Sequence, residues 1–241
     1  MPYNRLDDIR FFVTSLCNRY CEYCSQQTWR AQRPFWGMSK EEVRRFCEIA
    51  QDSGYHWKRL ILSGGEPTIW NGMRNGDMKY LRESRLFDSI WVNSNVATRS
   101  QVRVLAENAE YIDMVRASRY PENAAQIELL EAVFQHRLKY AESEDFWEVP
   151  DRVYPVSGRM NCGCAAPAYY GGDVVHMCGG CVEAEARFGI PAPSVPLERG
   201  WMEGMEELPP KWKGCGGCVS DKDIRKILKK VPTVERADHE S

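Results

Sequence analysis

Three cysteines near the start of the chain, Cys17, Cys21 and Cys24, stand in the spacing C-x3-C-x2-C. Close thiolates make a soft site, and thiolate ligation selects zinc, copper(I) or an iron–sulfur cluster. A structural zinc site takes its fourth Cys or His a few residues on, and none follows before Cys47. The site is therefore one ligand short of four, and the open position is its informative feature. A second loop able to do chemistry is Gly64-Gly65-Glu66-Pro67, whose glycines let another group approach the backbone closely. Beyond Pro150 come Cys162, Cys164, Cys178, Cys181, Cys215 and Cys218, as C-x-C, C-x2-C and C-x2-C. On spacing alone these either close a structural zinc site or hold a second iron–sulfur cluster.

Elements must carry these loops. Ile9 to Thr14 is β-branched and aromatic and reads as a buried strand that delivers the cysteine loop from its C-terminal end. Gln26 to Gly37, with Trp29 and Trp36, reads as a loop or short helix over the site. Ser39 and Glu42 form a capping box, followed by Val43, Phe46, Cys47 and Ala50 at helical spacing. Cys47 is thus a buried apolar residue, not a ligand. Asp52-Ser53-Gly54 ends that helix, and Arg59 to Ser63 makes a second strand running into Gly64-Gly65-Glu66-Pro67. A helix from Met78 leads to a third strand, Ser89 to Asn93, ending in Asn93-Ser94-Asn95. Ser100 is the expected cap of the next helix, and Tyr111 to Ser118 the fourth strand. A helix over Asn123 to Glu131 precedes weaker strand candidates at Val133 to Lys139 and Phe146 to Val149.

Strands alternating with helices indicate parallel βαβ units, and right-handed crossovers place every strand C-terminus on one rim. The expected fold class is α/β, a partial (β/α)6 TIM-like barrel of about six strands over residues 1–150, because the alternation stops short of what eight units need. Residues 151–241 form a small Cys-rich region in which a metal replaces a large core. There Gly171 to Cys178 reads as a hairpin turn and returning strand, and Gly180 to Gly189 as a short helix. No helix of normal length is expected before the one that Ser220 caps. His136 and His176, with no partner evident, are read as packing or surface residues.

Composition narrows the classes. The chain has 241 residues, 43% hydrophobic and 27% charged, with a formal net charge of −2. No apolar run reaches the ~18 residues of a membrane span, and no basic stripe interleaved with aromatics points to nucleic acid. The N-terminus lacks the basic start and apolar core of a signal peptide, so the ten cysteines are expected in a reducing cytoplasm, where clustered cysteines bind metal.

The cysteine loop, with Tyr23 directly before Cys24, resembles the signature of the radical S-adenosylmethionine (SAM) superfamily. Gly64-Gly65-Glu66-Pro67 stands where that family has its Gly-Gly-Glu-Pro motif. The resemblance covers about residues 9–150 and implies that Cys17, Cys21 and Cys24 hold a [4Fe–4S] cluster whose fourth iron is chelated by SAM. It implies that Gly64, Gly65, Glu66 and Pro67 hold the SAM amino group. Tyr23 would lie near the adenine, with Asn93, Ser94, Asn95 and Ser118 near the ribose and carboxylate. One electron would cleave SAM to a 5′-deoxyadenosyl radical that abstracts hydrogen from a C–H bond. The C-terminal segment resembles the family's SPASM domain in its shortened twitch form. An auxiliary [4Fe–4S] cluster would then take Cys162 or Cys164, Cys178, Cys215 and Cys218, leaving Cys181 unexplained.

Three functions follow as expectations. The first is a radical SAM oxidoreductase resembling compact twitch dehydrogenases, which oxidises a hydroxyl of an aminocyclitol or sugar with the auxiliary cluster as electron acceptor. The second is a radical SAM peptide maturase or epimerase; the third is a non-catalytic zinc-binding interaction protein. The implied partners are a small-molecule or peptide substrate and an electron donor such as flavodoxin or ferredoxin, with neither nucleic acid nor membrane.

Overall fold

β-Branched and aromatic residues form the first strand, β1 (Asp8–Thr14), with Ile9, Phe11 and Val13 on one face. In a computed structural model, which describes residues 6–21, 24–141 and 166–208, β1 lies in the middle of an eight-stranded open sheet. After it come α1 (Gln27–Gln32), α2 (Lys40–Asp52), β2 (Trp57–Gly64), α3 (Asp77–Glu83) and β3 (Phe87–Ser94). Then follow α4 (Arg99–Glu107), β4 (Met114–Ser118), α5 (Ala124–Phe134) and β5 (Leu138–Ala141). The second part contains β6 (Ala168–Tyr169), β7 (Val174–His176), α6 (Gly179–Phe188), β8 (Ser194–Pro196) and α7 (Trp201–Glu207). The strand order is β5-β4-β3-β2-β1-β6-β7-β8.

The strands β1 to β5 are all parallel, so Thr14, Gly64, Ser94, Ser118 and Ala141 end along one rim. The register Phe11, Leu62, Val92, Val115, Leu138 defines one face, and the first four of these side chains are fully buried. Against this face lie the apolar stripes of the helices: Val43, Phe46, Cys47 and Ala50 of α2, Met78 and Leu81 of α3, Val102 and Leu105 of α4, and Leu130 and Phe134 of α5. Phe46 meets the edge of Phe11 at 4.7 Å between ring centroids. The capping box of α2 is present, with the Glu42 N–H donating to Ser39 and the Ser39 N–H donating to the Glu42 carboxylate.

Several expectations are corrected. Among the described residues the sixth strand to join the parallel set is β6, a two-residue strand paired to the other edge of β1. It then turns through Gly171 and Gly172 into antiparallel β7, the hairpin that the sequence indicated, and β8 follows. The described part of the Cys-rich region therefore extends the same sheet. The cap of α4 is Thr98, not Ser100, because Gln101 three residues on returns its side chain to the Thr98 N–H. Val133 and Phe134 finish α5, so β5 begins only at Leu138, and β4 begins at Met114 because Asn108 to Tyr111 is a turn. Among the described residues beyond Pro150, two helices precede Ser220: the short helix indicated at Gly180, and α7, which buries Trp201 against Trp57 in a stack at 6.0 Å. The strand candidate Phe146 to Val149 and the helix capped by Ser220 lie outside the described residues. No helix of the described residues is long and apolar enough to cross a membrane.

Candidate active site

The parallel register brings the cysteine loop after β1 and the glycine loop after β2 side by side. Gly65 N–H donates to the Thr14 carbonyl at 2.6 Å and Glu66 N–H to the Leu16 carbonyl at 2.7 Å. The glycines are required by this contact. A Cβ on Gly65 would stand 2.0 Å from the Leu16 carbonyl oxygen, and Gly64 holds φ +126° with its Cβ position 2.5 Å from the Thr14 carbonyl oxygen. Gly64 and Gly65 thus press one loop onto the base of the other, one residue before Cys17.

Glu66 is buried, and its carboxylate faces into the rim. It accepts from Thr68 N–H at 3.1 Å, Thr68 Oγ1 at 2.8 Å, Ser94 Oγ at 2.9 Å and Asn95 N–H at 2.8 Å. Burial raises its pKa, opposed by these hydrogen bonds. In this arrangement the carboxylate ties the β2 loop to the β3 loop.

Asn95 carries the tie onward. Its Nδ2 donates to Asn18 Oδ1 at 2.9 Å and lies 3.5 Å from Cys17 Sγ. Its Oδ1 accepts from Gln101 Nε2 at 3.0 Å, and Gln101 Oε1 accepts from Asn18 Nδ2 at 3.1 Å. Asn123 Nδ2 donates to the carbonyls of Asn95 and Ser118, joining the ends of β3 and β4. Gln101 and Asn123 were not singled out from the sequence; for Gln101 the legible signal was its place three residues after Thr98, as a capping box. Ser94 points with Asn95 into this network, whereas Asn93 alternates to the opposite face of β3.

Cys17, Cys21 and Cys24 are all half-buried. Burial raises the Cys17 pKa, while the Arg19 backbone and Arg30 lower it. Arg30 Nη1 donates toward Cys24 Sγ at 3.5 Å and its Nε donates to the Ser15 carbonyl at 2.8 Å. A cavity of about 160 Å³ opens beside Cys21 and Cys24, lined also by Ser15, Tyr20, Gln27 and Arg30. Among the described residues no three Cys, His, Asp or Glu side chains converge closely enough for a single metal ion. A cubane cluster, in which each thiolate takes a different iron, holds its sulfurs farther apart than one ion does. The donor set fits such a group: three half-buried thiols on one loop, with an amide and a guanidinium directed at two of the sulfurs.

Of the Cys-rich region, Cys178 and Cys181 are described, both buried at the start of α6, where the Cys181 thiol donates to the Cys178 carbonyl at 2.9 Å. Contacts missed by sequence reasoning join this region to the first loop. Gln26 Nε2 donates to the Gly179 carbonyl at 3.2 Å, and Tyr170 OH donates to Gln26 Oε1 at 2.7 Å. Glu183 of α6 accepts from the N–H groups of Thr28 and Trp29 at the start of α1, at 2.8 and 2.9 Å. Tyr23, Cys162, Cys164, Cys215 and Cys218 lie outside the described residues.

No protein-family model and no curated protein matches the sequence. Solved structures share its fold, and two of them are forms of BtrN. A crystal structure of BtrN in complex with AdoMet and 2-DOIA aligns with a TM-score of 0.57 at 14% identity, over 93% of this chain and 87% of that one. A selenomethionine BtrN in an open conformation aligns with a TM-score of 0.53 at 14% identity, over 95% of this chain and 87% of that one. The fold is thus an open α/β sheet shared with BtrN, in line with the α/β class expected from the alternation of strands and helices.

Proposed function

We propose that the chain is a radical SAM oxidoreductase whose rim loops hold a [4Fe–4S] cluster on Cys17, Cys21 and Cys24, with SAM on the open iron. The chemistry that group supplies when bound is reductive cleavage of SAM and abstraction of a substrate hydrogen. The observation that carries this reading is the junction of the two motif loops, through Gly65 N–H on Thr14 and Glu66 N–H on Leu16. It is supported by a fold shared with a protein solved with AdoMet.

The chain's own residues have assignable tasks. Asn95 and Arg30 direct N–H donors at the Cys17 and Cys24 sulfurs, which orients these side chains at the rim. Glu66 and Asn123 fix the ends of β2, β3 and β4 relative to one another. Backbone at Gly64 to Pro67 and the rim residues Asn93 to Asn95 and Ser118 form the bed for SAM, with Tyr23 beside its adenine. Residues 151–241 supply the auxiliary cluster, with Cys178, Cys215, Cys218 and Cys162 or Cys164 as ligands and Cys181 spare. The overall reaction is two-electron oxidation of a hydroxyl on a sugar- or aminocyclitol-like small molecule, with one hydrogen atom, one proton and one electron leaving the carbinol.

Anaerobic reconstitution tests the cofactor assignment. It should give about eight iron and eight sulfide per chain, and Cys215→Ala should halve the iron while sparing part of the SAM cleavage. Unchanged iron removes Cys215 from the ligand set. A reduced flavodoxin or ferredoxin is the donor to supply, and a ketone product distinguishes oxidation from peptide crosslinking or epimerisation.

A further inference from the structure

The sheet has a second face, and its chemistry differs from that of the helix-covered one. From β1 to β5 this face carries Asp8 and Arg10, Arg59 and Ile61, Trp91 and Asn93, Met114 and Arg116, and Lys139, as the pairing register requires. Asp8 is the one carboxylate among them, and it is already taken by a two-pronged contact from Arg59. The Arg59 guanidinium and the Lys139 ammonium lie 4.4 and 4.5 Å from the centroid of the Trp91 ring. Arg116 and Lys139 are exposed and sit directly opposite each other on neighbouring strands, in the same row as Asn93. The Arg10 Nε is buried without a hydrogen-bond partner.

Four cations on strands β1, β2, β4 and β5, one of them paired with the single carboxylate, are not explained by composition, since the chain as a whole carries −2. Like charges directly opposite on neighbouring strands destabilise a sheet. An anion between them removes that cost and turns it into charge-assisted hydrogen bonds. Arg116 and Lys139 are one side-chain repeat below Ser118 and Ala141 at the rim, roughly 7 Å from it, which is the depth at which a molecule under the SAM bed would lie.

We propose that this face binds the substrate through an anionic group, a carboxylate or a phosphate held by Arg116 and Lys139 with Trp91 as the platform beside it. The inference rests on the reading of the rim as the SAM site and narrows its substrate class, from sugar- or aminocyclitol-like molecules to hydroxylated anions. A single SAM carboxylate does not account for the face, because it satisfies one cation at most in full and belongs at the rim, a row above.

The test uses the full-length reconstituted protein with SAM bound, titrated by calorimetry with four probes: glucuronate, glucose 6-phosphate, glucose and glucosamine. At least one anionic sugar should bind about tenfold or more tightly than glucose and glucosamine, and the stronger of the two identifies carboxylate or phosphate as the recognised group. Arg116→Gln and Lys139→Gln should each lower that affinity about tenfold and leave SAM affinity within about twofold. Arg103→Gln, which removes a charge from the exposed side of α4, should change neither. Equal or tighter binding of glucosamine or glucose overturns the proposal. So does failure of both anions to bind in the millimolar range, or a loss of SAM affinity instead of anion affinity in Arg116→Gln. Binding is read without turnover, so anion binding in a protein that does not cleave SAM removes the redox reading and keeps this one. SAM cleavage driven by an amino sugar does the reverse.

Discussion

The two faces of the sheet, built from alternate residues of the same strands, differ in what closes them. On one face Phe11, Leu62, Val92 and Val115 have no exposure and four helices lie over them. On the other, the same strands present Arg10, Arg59, Trp91, Asn93, Arg116 and Lys139, of which Arg116 and Lys139 are exposed. Period-two alternation means that one strand can serve stability with one side and chemistry with the other. The first face sets how firmly the strands are held. The second, with the rim loops, carries the proposed binding sites.

Substitutions on the two faces should separate these roles. The largest loss of stability is expected from Phe11→Ala, which removes a ring packed on Phe46 and Tyr169; about 3–5 kcal/mol should appear in denaturant unfolding. Cys47, which points from α2 into the same face, has its thiol pushed up to about 12 by burial. A pKa raised from 9.0 to about 12 lowers the thiolate fraction near neutral pH about a thousandfold. In metal-free protein, alkylation of Cys47 should therefore lag far behind the half-exposed Cys17, Cys21 and Cys24, and catch up only on unfolding. Rapid native labelling of Cys47 would break the contrast. Where the rim joins both faces, Gly65→Ala forces a methyl against the Leu16 carbonyl. Its cost should be about 1–3 kcal/mol, with SAM binding lost because the two loops can no longer meet. The smallest effect on stability is expected from Arg116→Gln, within about 0.5 kcal/mol. A large destabilisation there would mean that the second face is also structural.

The sequence made some of this legible and left other parts dark, for physical reasons. The cysteine spacing, Gly64-Gly65-Glu66-Pro67 and the Ser39 capping box are local patterns, each complete within eight residues, and the α/β alternation follows from strand and helix periods. What was missed is held by pairs distant in sequence. The two-residue β6 has no period to read, and it reaches β1 across more than 150 residues of chain. Gln26, Tyr170 and Glu183 form their contacts across 144 to 155 residues. The helix α7 contains Gly204, which lowers its intrinsic propensity, and it forms because Trp201 and Met205 are buried. For Glu66, the sequence identified the residue but not its orientation. Its carboxylate is turned toward Ser94 and Asn95, which follows from the parallel pairing of β2 and β3 and is not written in the motif itself.

The chemistry proposed for the rim depends on Cys17, Cys21 and Cys24 of the first loop. The direct test is anaerobic reconstitution of wild-type and Cys21→Ala protein with iron and sulfide, then reduction with dithionite in the presence of SAM, with 5′-deoxyadenosine measured by chromatography. Wild-type protein should form 5′-deoxyadenosine, and Cys21→Ala should form none while its auxiliary iron remains. A colourless, zinc-loaded wild-type protein that leaves SAM intact, or a Cys21→Ala protein that cleaves SAM as well as wild type, would contradict the account.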